Sequence, residues 1–429
     1  MPRSFDIPHG YRSDILSSIK ESRSLLDPRR KDKTPTVIEL DEIVIKLARH
    51  FGFCYGVENA IEIAYKALKE NPDKRIFLLS EMIHNPQVND DLISKGIRFL
   101  FTTYGEELLP LSELTAEDIV VVPAFGTTVE LFKHLKDLGV DTKEYNTTCP
   151  FVEKVWKRSR DLGERGFSII IHGKQKHEET RATFSHAVQH APSLVISGME
   201  EARVLSQFIA GDVSEEEILK AFAGRYSEGF SPTESLARFG VVNQTTMLAE
   251  ETREIASHLR AALASTFGEE HIADHFADTR DTLCYATSEN QQATQALIAS
   301  GADFAIIVGG YNSSNTSHLV ELCAEVMPSY FVKDAEEVVS KTEISHLDIV
   351  DWQVKRSNNW YPASQANSKP VLAITAGASC PDSLVCDVIE RILKVRGIEF
   401  SSFSDAASLL AKRAEEESAS KEKSSLQVI

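Results

Sequence analysis

Long apolar runs are missing from this chain of 429 residues. None approaches the roughly 20 residues that a membrane span requires, so no spanning segment is expected. Positive charge is in deficit: 46 Lys and Arg against 64 Asp and Glu give a formal net charge of −18. Nucleic acid and anionic membrane both require a basic face, and neither is expected as a partner. An anionic small substrate stays compatible, because a local site can be positive on an acidic protein. Cysteine is scarce, with only six in the chain: Cys54, Cys149, Cys284, Cys323, Cys380 and Cys386. That is too few for a disulfide scaffold. None forms a CxxC pair, so a metal site would have to be assembled from distant parts of the chain. The N-terminal stretch shows no apolar core of a secretory signal. It carries Asp6, Asp14, Glu21 and Asp27 where transit peptides are poor in acids. The expected location is cytoplasmic, with a plastid origin left open.

What is present is a recurring unit: an apolar strand, a short polar or Gly-containing loop, then an amphipathic helix. This alternation predicts parallel α/β structure. The first unit reads as a strand over 42–48 and a helix from Val57, with Val57, Ile61, Ala64 and Leu68 on one face. The spacing of the units suggests three similar α/β lobes. They would span 42–149, 150–282 and 283–400, and the first strand has a possible place in the third lobe. Residues 1–41 read as an N-terminal arm or cap. Residues 205–238 read as an inserted helix and loop, and 343–369 as an irregular insert holding two of the three Trp. The tail 401–429 is charged and Ser-rich from Lys412, which predicts disorder at its end.

Parallel sheets present loops at the carboxyl ends of their strands, where ligands bind. Cys54, Cys149 and Cys284 share that address, each just before a helix, where free N–H groups and the helix dipole favour a thiolate. The residues alone also allow small buried hydrophobes. Cys323 and Cys386 lie within amphipathic helices and read as core, whereas Cys380, beside Ser379, is ambiguous. Ser313, Ser314 and Asn315 after a VGG turn, and Ser379 in TAGAS, offer hydroxyls and an amide at helix starts. These suit phosphate oxygens or ordinary capping. His84 and His177 occupy loops after strands and are candidate donors to a diphosphate. Glu179 is either a solvated first-turn glutamate or a carboxyl poised to deliver protons. Thr245, in NQTT, is either a substrate contact or a helix cap.

The segments GFCYGVENAI, EMIHNPQV, NTTCPFVEKV, HGKQKHEETRAT, NQTT, CYATSENQ, GGYNSSNTSHL and TAGASCPD occur in one order over about 42–395. Together they resemble the 4-hydroxy-3-methylbut-2-enyl diphosphate reductase family, in its plant and cyanobacterial branch. The resemblance implies a trefoil-like set of three lobes around a 4Fe–4S cluster ligated by Cys54, Cys149 and Cys284, with one iron open to substrate. It implies reductive dehydroxylation to isopentenyl and dimethylallyl diphosphate, the last step of the methylerythritol phosphate route to isoprenoids. Glu179 matches the proton-delivering carboxylate, and Thr245 the hydroxyl near the substrate alcohol. His84, His177, Ser313, Ser314, Asn315 and Ser379 match the diphosphate contacts. A ferredoxin or flavodoxin electron donor is implied, and the arm could mediate a homodimer. Phe125 stands where many bacterial members carry a diphosphate-binding His, and His172 or Lys174 is a candidate replacement. Two other classes stay in play: a zinc or redox-inactive binding protein, and an iron–sulfur dehydratase without net reduction.

Overall fold

The computed structural model describes residues 5–277, 282–362 and 368–426. Packing divides the chain into two units. One comprises the residues up to Cys54, His84–Pro86 and those from Glu289 onward; the other comprises Tyr55–Ile83 and Gln87–Ser288.

The first unit is built on a seven-stranded mixed sheet. Its spatial order is Thr36–Glu39, Val44–Leu47, Val371–Ala376, Phe304–Val308, Ser329–Val332, Glu343–Asp348 and Gln353–Asn358. The four strands from Val44–Leu47 to Ser329–Val332 are parallel; the outer ones are antiparallel. Parallel strands covered on both faces need apolar side chains on both, and Phe304–Val308 is buried throughout. Each Ile or Val taken from water there contributes about 1.5–3 kcal/mol. By contrast Thr36–Glu39 alternates, with Ile38 inside and Val37 outside, as expected of a strand with one wet face.

The second unit holds two all-parallel sheets. One runs Arg98–Phe99, Ile76–Leu78, Ile119–Val121. The other runs Ser193–Ile196, Ser168–His172, Phe239–Asn243, Phe276–Ala277. The α/β expectation holds, and the sheet of the first unit is mixed because the chain edges it with antiparallel strands.

Two segments differ from what composition suggests. Residues 343–358 are a regular antiparallel hairpin, Glu343–Asp348 with Gln353–Asn358, and not an irregular insert; 363–367 lie outside the described residues. Trp360 anchors the chain just beyond the hairpin: it is buried, meets Phe304 edge-on, and donates its indole N–H to the Ser340 carbonyl at 3.0 Å. The tail is helical over Phe400–Leu426, with Phe403, Ala407 and Ala414 buried and the N-terminal helix Asp14–Leu26 packed along it. Lys412, Arg413, Glu415, Glu416 and Glu417 are exposed on this helix; residues 427–429, at the end where disorder was expected, lie outside the described residues. Segment 205–238 contains the end of the helix Met199–Ala210 and the helices Glu215–Ala221 and Pro232–Ser235. Leu205, Ile218, Phe222 and Leu236 share one core with Leu194 and Phe239 of the four-stranded sheet.

Candidate functional site

Apart from His172, which ends a strand, every candidate side chain lies in a loop or first helical turn. Within the second unit, the strand Ser168–His172 runs out into a loop closed by His177, the N-cap of the helix Glu178–Ala187. His177 Nδ1 accepts the Glu179 backbone N–H at 3.2 Å, as a capping side chain does. The neighbouring strand Phe239–Asn243 ends beside it, so Gln244 and Thr245 face that helical turn. Glu179 is buried, and both its oxygens are engaged by one residue. Thr245 donates its backbone N–H to Oε1 at 2.5 Å and its hydroxyl to Oε2 at 2.9 Å. The solvated-glutamate reading of Glu179 is thereby excluded. So is the capping reading of Thr245, whose hydroxyl goes to the carboxylate; the helix Ala249–Phe267 begins after Leu248.

Gln244, which sequence reasoning passed over, holds this turn together. Its Oε1 accepts the Lys174 N–H at 3.1 Å and the Thr180 hydroxyl at 3.0 Å, while its Nε2 donates to Thr246 at 2.6 Å. Nothing in the sequence marks it beyond its place before Thr245. His172 sits wholly buried on its strand, with Nδ1 3.1 Å from Thr252 and Nε2 3.7 Å from Glu251. Those partners hold it on the helix Ala249–Phe267. Phe125 meets His177 edge-on, with ring centroids 5.7 Å apart, so an apolar ring buttresses the imidazole.

Cys284 N–H reaches the Thr245 carbonyl at 3.5 Å. The helix Tyr285–Ala299 starts immediately after it. Burial pushes the Cys284 thiol upward and the Glu179 charge adds to that, while the N–H groups of Thr287 and Ala286 act in the opposite sense on the sulfur. Cys149 caps the helix Pro150–Glu164, and its N–H donates to the Ala124 carbonyl at 2.9 Å. The unit therefore brings Glu179, Thr245, His177 and Cys284 into one connected group.

Within the first unit, Cys54 directly precedes the helix Tyr55–Glu70, and its N–H donates to the Ala378 carbonyl at 3.1 Å. Ser313 caps the helix Ser314–Ala324, its Oγ taking the Thr316 N–H at 3.2 Å and the Thr316 hydroxyl at 2.8 Å. The Ser379 hydroxyl lies 3.2 Å from the His84 carbonyl and 3.5 Å from Ser313 Oγ. Asn315 Oδ1 accepts the Ala378 N–H at 2.8 Å. Ser313, Ser314, Asn315, Ser379 and His84 are all buried. Ser314 Oγ and Asn315 Nδ2 have no hydrogen-bond partner among the described residues. Leaving such donors dry costs about 1–3 kcal/mol each, so the arrangement is that of a cradle for oxygens supplied from outside. Two glycines let the helix start come this close. A Cβ on Gly377 would collide with Thr316 Oγ1, and one on Gly310 would collide with the His84 carbonyl oxygen.

None of the six cysteines forms a disulfide. Cys323 lies in the core with its thiol pushed up to about 12 by burial, and burial also raises Cys380 and Cys386. Cys380 is fully buried, which resolves its ambiguity toward packing. Among the described residues no three His, Cys, Asp or Glu side chains group as ligands of a single metal ion. Thiolates that ligate different irons of a cluster stand farther apart than ligands sharing one ion. Nor, among the described residues, is any helix long and apolar enough to cross a membrane.

The fold and these two groups define an α/β protein with a buried carboxyl–hydroxyl pair and a buried polar cradle holding two unpartnered groups, both at strand carboxyl ends. The chain belongs to the LytB protein family, whose model it matches over residues 45–393. It is 37% identical over 403 residues to the 4-hydroxy-3-methylbut-2-enyl diphosphate reductase of Prochlorococcus marinus (strain MIT 9301), covering 92% of this chain and 95% of that one. It is 38% identical over 385 residues to the protein of the same name from Picosynechococcus sp. (strain ATCC 27264 / PCC 7002 / PR-6), covering 89% and 92%. Its fold is similar to the solved structure of the E-1-hydroxy-2-methyl-but-2-enyl-4-diphosphate reductase from Plasmodium falciparum. There the TM-score is 0.59 at 19% identity, covering 82% of this chain and 89% of that one.

Proposed function

We propose that this protein reduces 4-hydroxy-3-methylbut-2-enyl diphosphate to isopentenyl and dimethylallyl diphosphate, as the last step of an isoprenoid route. A 4Fe–4S cluster held by Cys54, Cys149 and Cys284, at the centre of a trefoil-like fold of three α/β lobes, is part of the same reading. The observation that carries it is the Glu179–Thr245 pair: a buried carboxyl bonded twice by one residue, with Cys284 tied to that residue's carbonyl.

The donor set fits the cluster. Cys54, Cys149 and Cys284 each directly precede a helix, where N–H groups favour a thiolate, whereas Cys323 and Cys386 lie inside helices and Cys380 is fully buried. When bound, such a cluster would relay electrons one at a time from an outside donor and would offer an iron without a protein ligand for the substrate's hydroxyl. The chain's residues do the rest. Ser313, Ser314, Asn315 and Ser379 bind the diphosphate, with His84 and His177 as further donors. The unpartnered Ser314 Oγ and Asn315 Nδ2 support this assignment. Holding the diphosphate fixes the butenyl chain and its hydroxyl, a positional contribution. Thr245 Oγ1 orients the alcohol, and Glu179 holds the proton that leaves with it as water. Two electrons and two protons enter, the C–O bond breaks, one proton goes to the departing oxygen and one to carbon. Protonation at either end of the allyl unit gives the two products. A ferredoxin or flavodoxin is the proposed donor of electrons.

The test is anaerobic reconstitution with iron and sulfide, then assay with the diphosphate substrate and a chemical reductant. Brown protein that releases both products, and none without reductant, is expected. Protein that stays colourless, or that turns over without reductant, would overturn the reading.

A further inference from the structure

The helix Asp14–Leu26 of the N-terminal arm is anchored by buried Leu16 and Ile19, which leaves Lys20 fixed at its edge. Lys20 Nζ donates to the Phe51 carbonyl at 3.0 Å and to both carboxylate oxygens of Asp382 at 2.6 and 2.8 Å. It also lies 4.2 Å from the centroid of the Phe51 ring. Asp382 opens the helix Asp382–Arg396, where a carboxylate is favoured by the helix dipole. It comes three residues after Ser379, just as Phe51 precedes Cys54 by three. One ammonium group thus bridges the loop that leads to Cys54 and the loop that carries Ser379.

Two further observations make this a clamp and not a surface ion pair. The Lys20 and Asp382 side chains are 29% and 16% exposed, so the pair is sheltered from full solvent screening. Gly52 lies between the partners with φ +82°, and a Cβ there would collide with Asp382 Oδ1 and stand 3.0 Å from Lys20 Nζ. A side chain at 52 would therefore push the Lys20–Asp382 pair aside, in a backbone conformation that favours glycine.

We infer that Lys20 is a positioning residue for the Cys54 loop: it locks that loop to the Ser379 loop and so fixes the reach of the Cys54 sulfur. Its consequence for the cluster rests on the proposed role of Cys54 as a ligand. The clamp itself belongs to the chain before any cluster is present.

The experiment is site-resolved alkylation of the full-length apo protein with iodoacetamide, read by peptide mass spectrometry at Cys54 and at Cys149. Lys20→Met keeps the apolar stem and removes the ammonium, while Lys20→Arg keeps a charged donor. Arg23→Met is the control on the same helix, since Arg23 pairs with Asp32 and the Thr34 carbonyl instead. Expected is alkylation about tenfold faster at Cys54 in Lys20→Met through easier local opening. Cys149 should be unchanged, Lys20→Arg should stay near the native rate, and Arg23→Met should have no effect. After reconstitution, Lys20→Met should bleach in air several-fold faster. An unchanged Cys54 rate, or equal acceleration at Cys54 and Cys149, would overturn the clamp. If the native protein takes up no cluster, the proposed function fails, while the alkylation rates still decide the role of Lys20.

Discussion

Thr245 gives Glu179 two donors, a backbone N–H at 2.5 Å and a hydroxyl at 2.9 Å, although 66 residues separate them. The pairing arises from sheet order, since the strands that precede the two loops are parallel neighbours paired from Ser168↔Phe239 to His172↔Asn243. Replacing Glu179 with Gln keeps the shape but sets an NH2 group against a donor, or leaves a proton carrier missing. Turnover should fall by about 10²- to 10⁴-fold, the usual worth of a general acid, with visible absorption unchanged. Steady-state assay beside the spectrum checks this; activity within threefold of native would refute the proton role.

Thr245→Val removes one of those two bonds and leaves the N–H. A buried carboxylate oxygen then loses one donor, at about 1–3 kcal/mol. The apo protein should melt earlier, and Thr245→Ser should restore most of the loss. Thermal denaturation monitored by circular dichroism decides it.

Gly377→Ala tests the proposed anion cradle. Its new methyl would collide with Thr316 Oγ1 and stand 3.1 Å from Thr316 Cβ. Overpacking of this kind costs about 1–3 kcal/mol, and KM for the diphosphate substrate should rise. Adding Thr316→Ala removes the nearest atom and should recover part of both effects; no recovery would place the strain elsewhere.

Cysteine substitutions should separate ligands from core. Cys149→Ser should take up little iron and sulfide on reconstitution, whereas Cys323→Ala should be as brown as native but less stable, by about 1 kcal/mol for a small core truncation. Iron analysis per chain is the measurement. Full iron in Cys149→Ser would show that the ligand set is wrong.

His50 ties stability to acid. Burial first, then the charge of Lys33, whose Nζ lies 3.3 Å away, pushes its pKa down to about 3. The unfolded chain therefore binds a proton that the folded chain refuses. This contribution is intact above about pH 6.5, the unfolded value, and is lost progressively as pH falls toward 3. His50→Gln should flatten the decline of melting temperature over that window. An identical decline in the variant would reject the assignment.

Much of the fold was legible because parallel strands and their helices write strong periodicity. The strand near 42–48 and the helix near Val57 appear as Val44–Leu47 and Tyr55–Glu70. The hairpin Glu343–Asn358 was not legible, since its outer strand is exposed along most of its length and carries no apolar alternation. The tail helix was masked by its charge, because the residues that bury it are few and widely spaced. At the candidate site, the loop positions could be read but not the bonds: nothing local distinguishes Gln244 from a surface glutamine, or Lys20 from any other lysine of the arm. Those identities are set by partners 64 and 362 residues away.

The bond from Cys54 N–H to the Ala378 carbonyl makes two distant stretches of backbone travel together. The Ala378 carbonyl belongs to the peptide that leads into Ser379, so one hydrogen bond separates that residue's backbone from the Cys54 N–H. The Ser379 loop and the backbone that carries the Cys54 sulfur are thereby restrained as one piece.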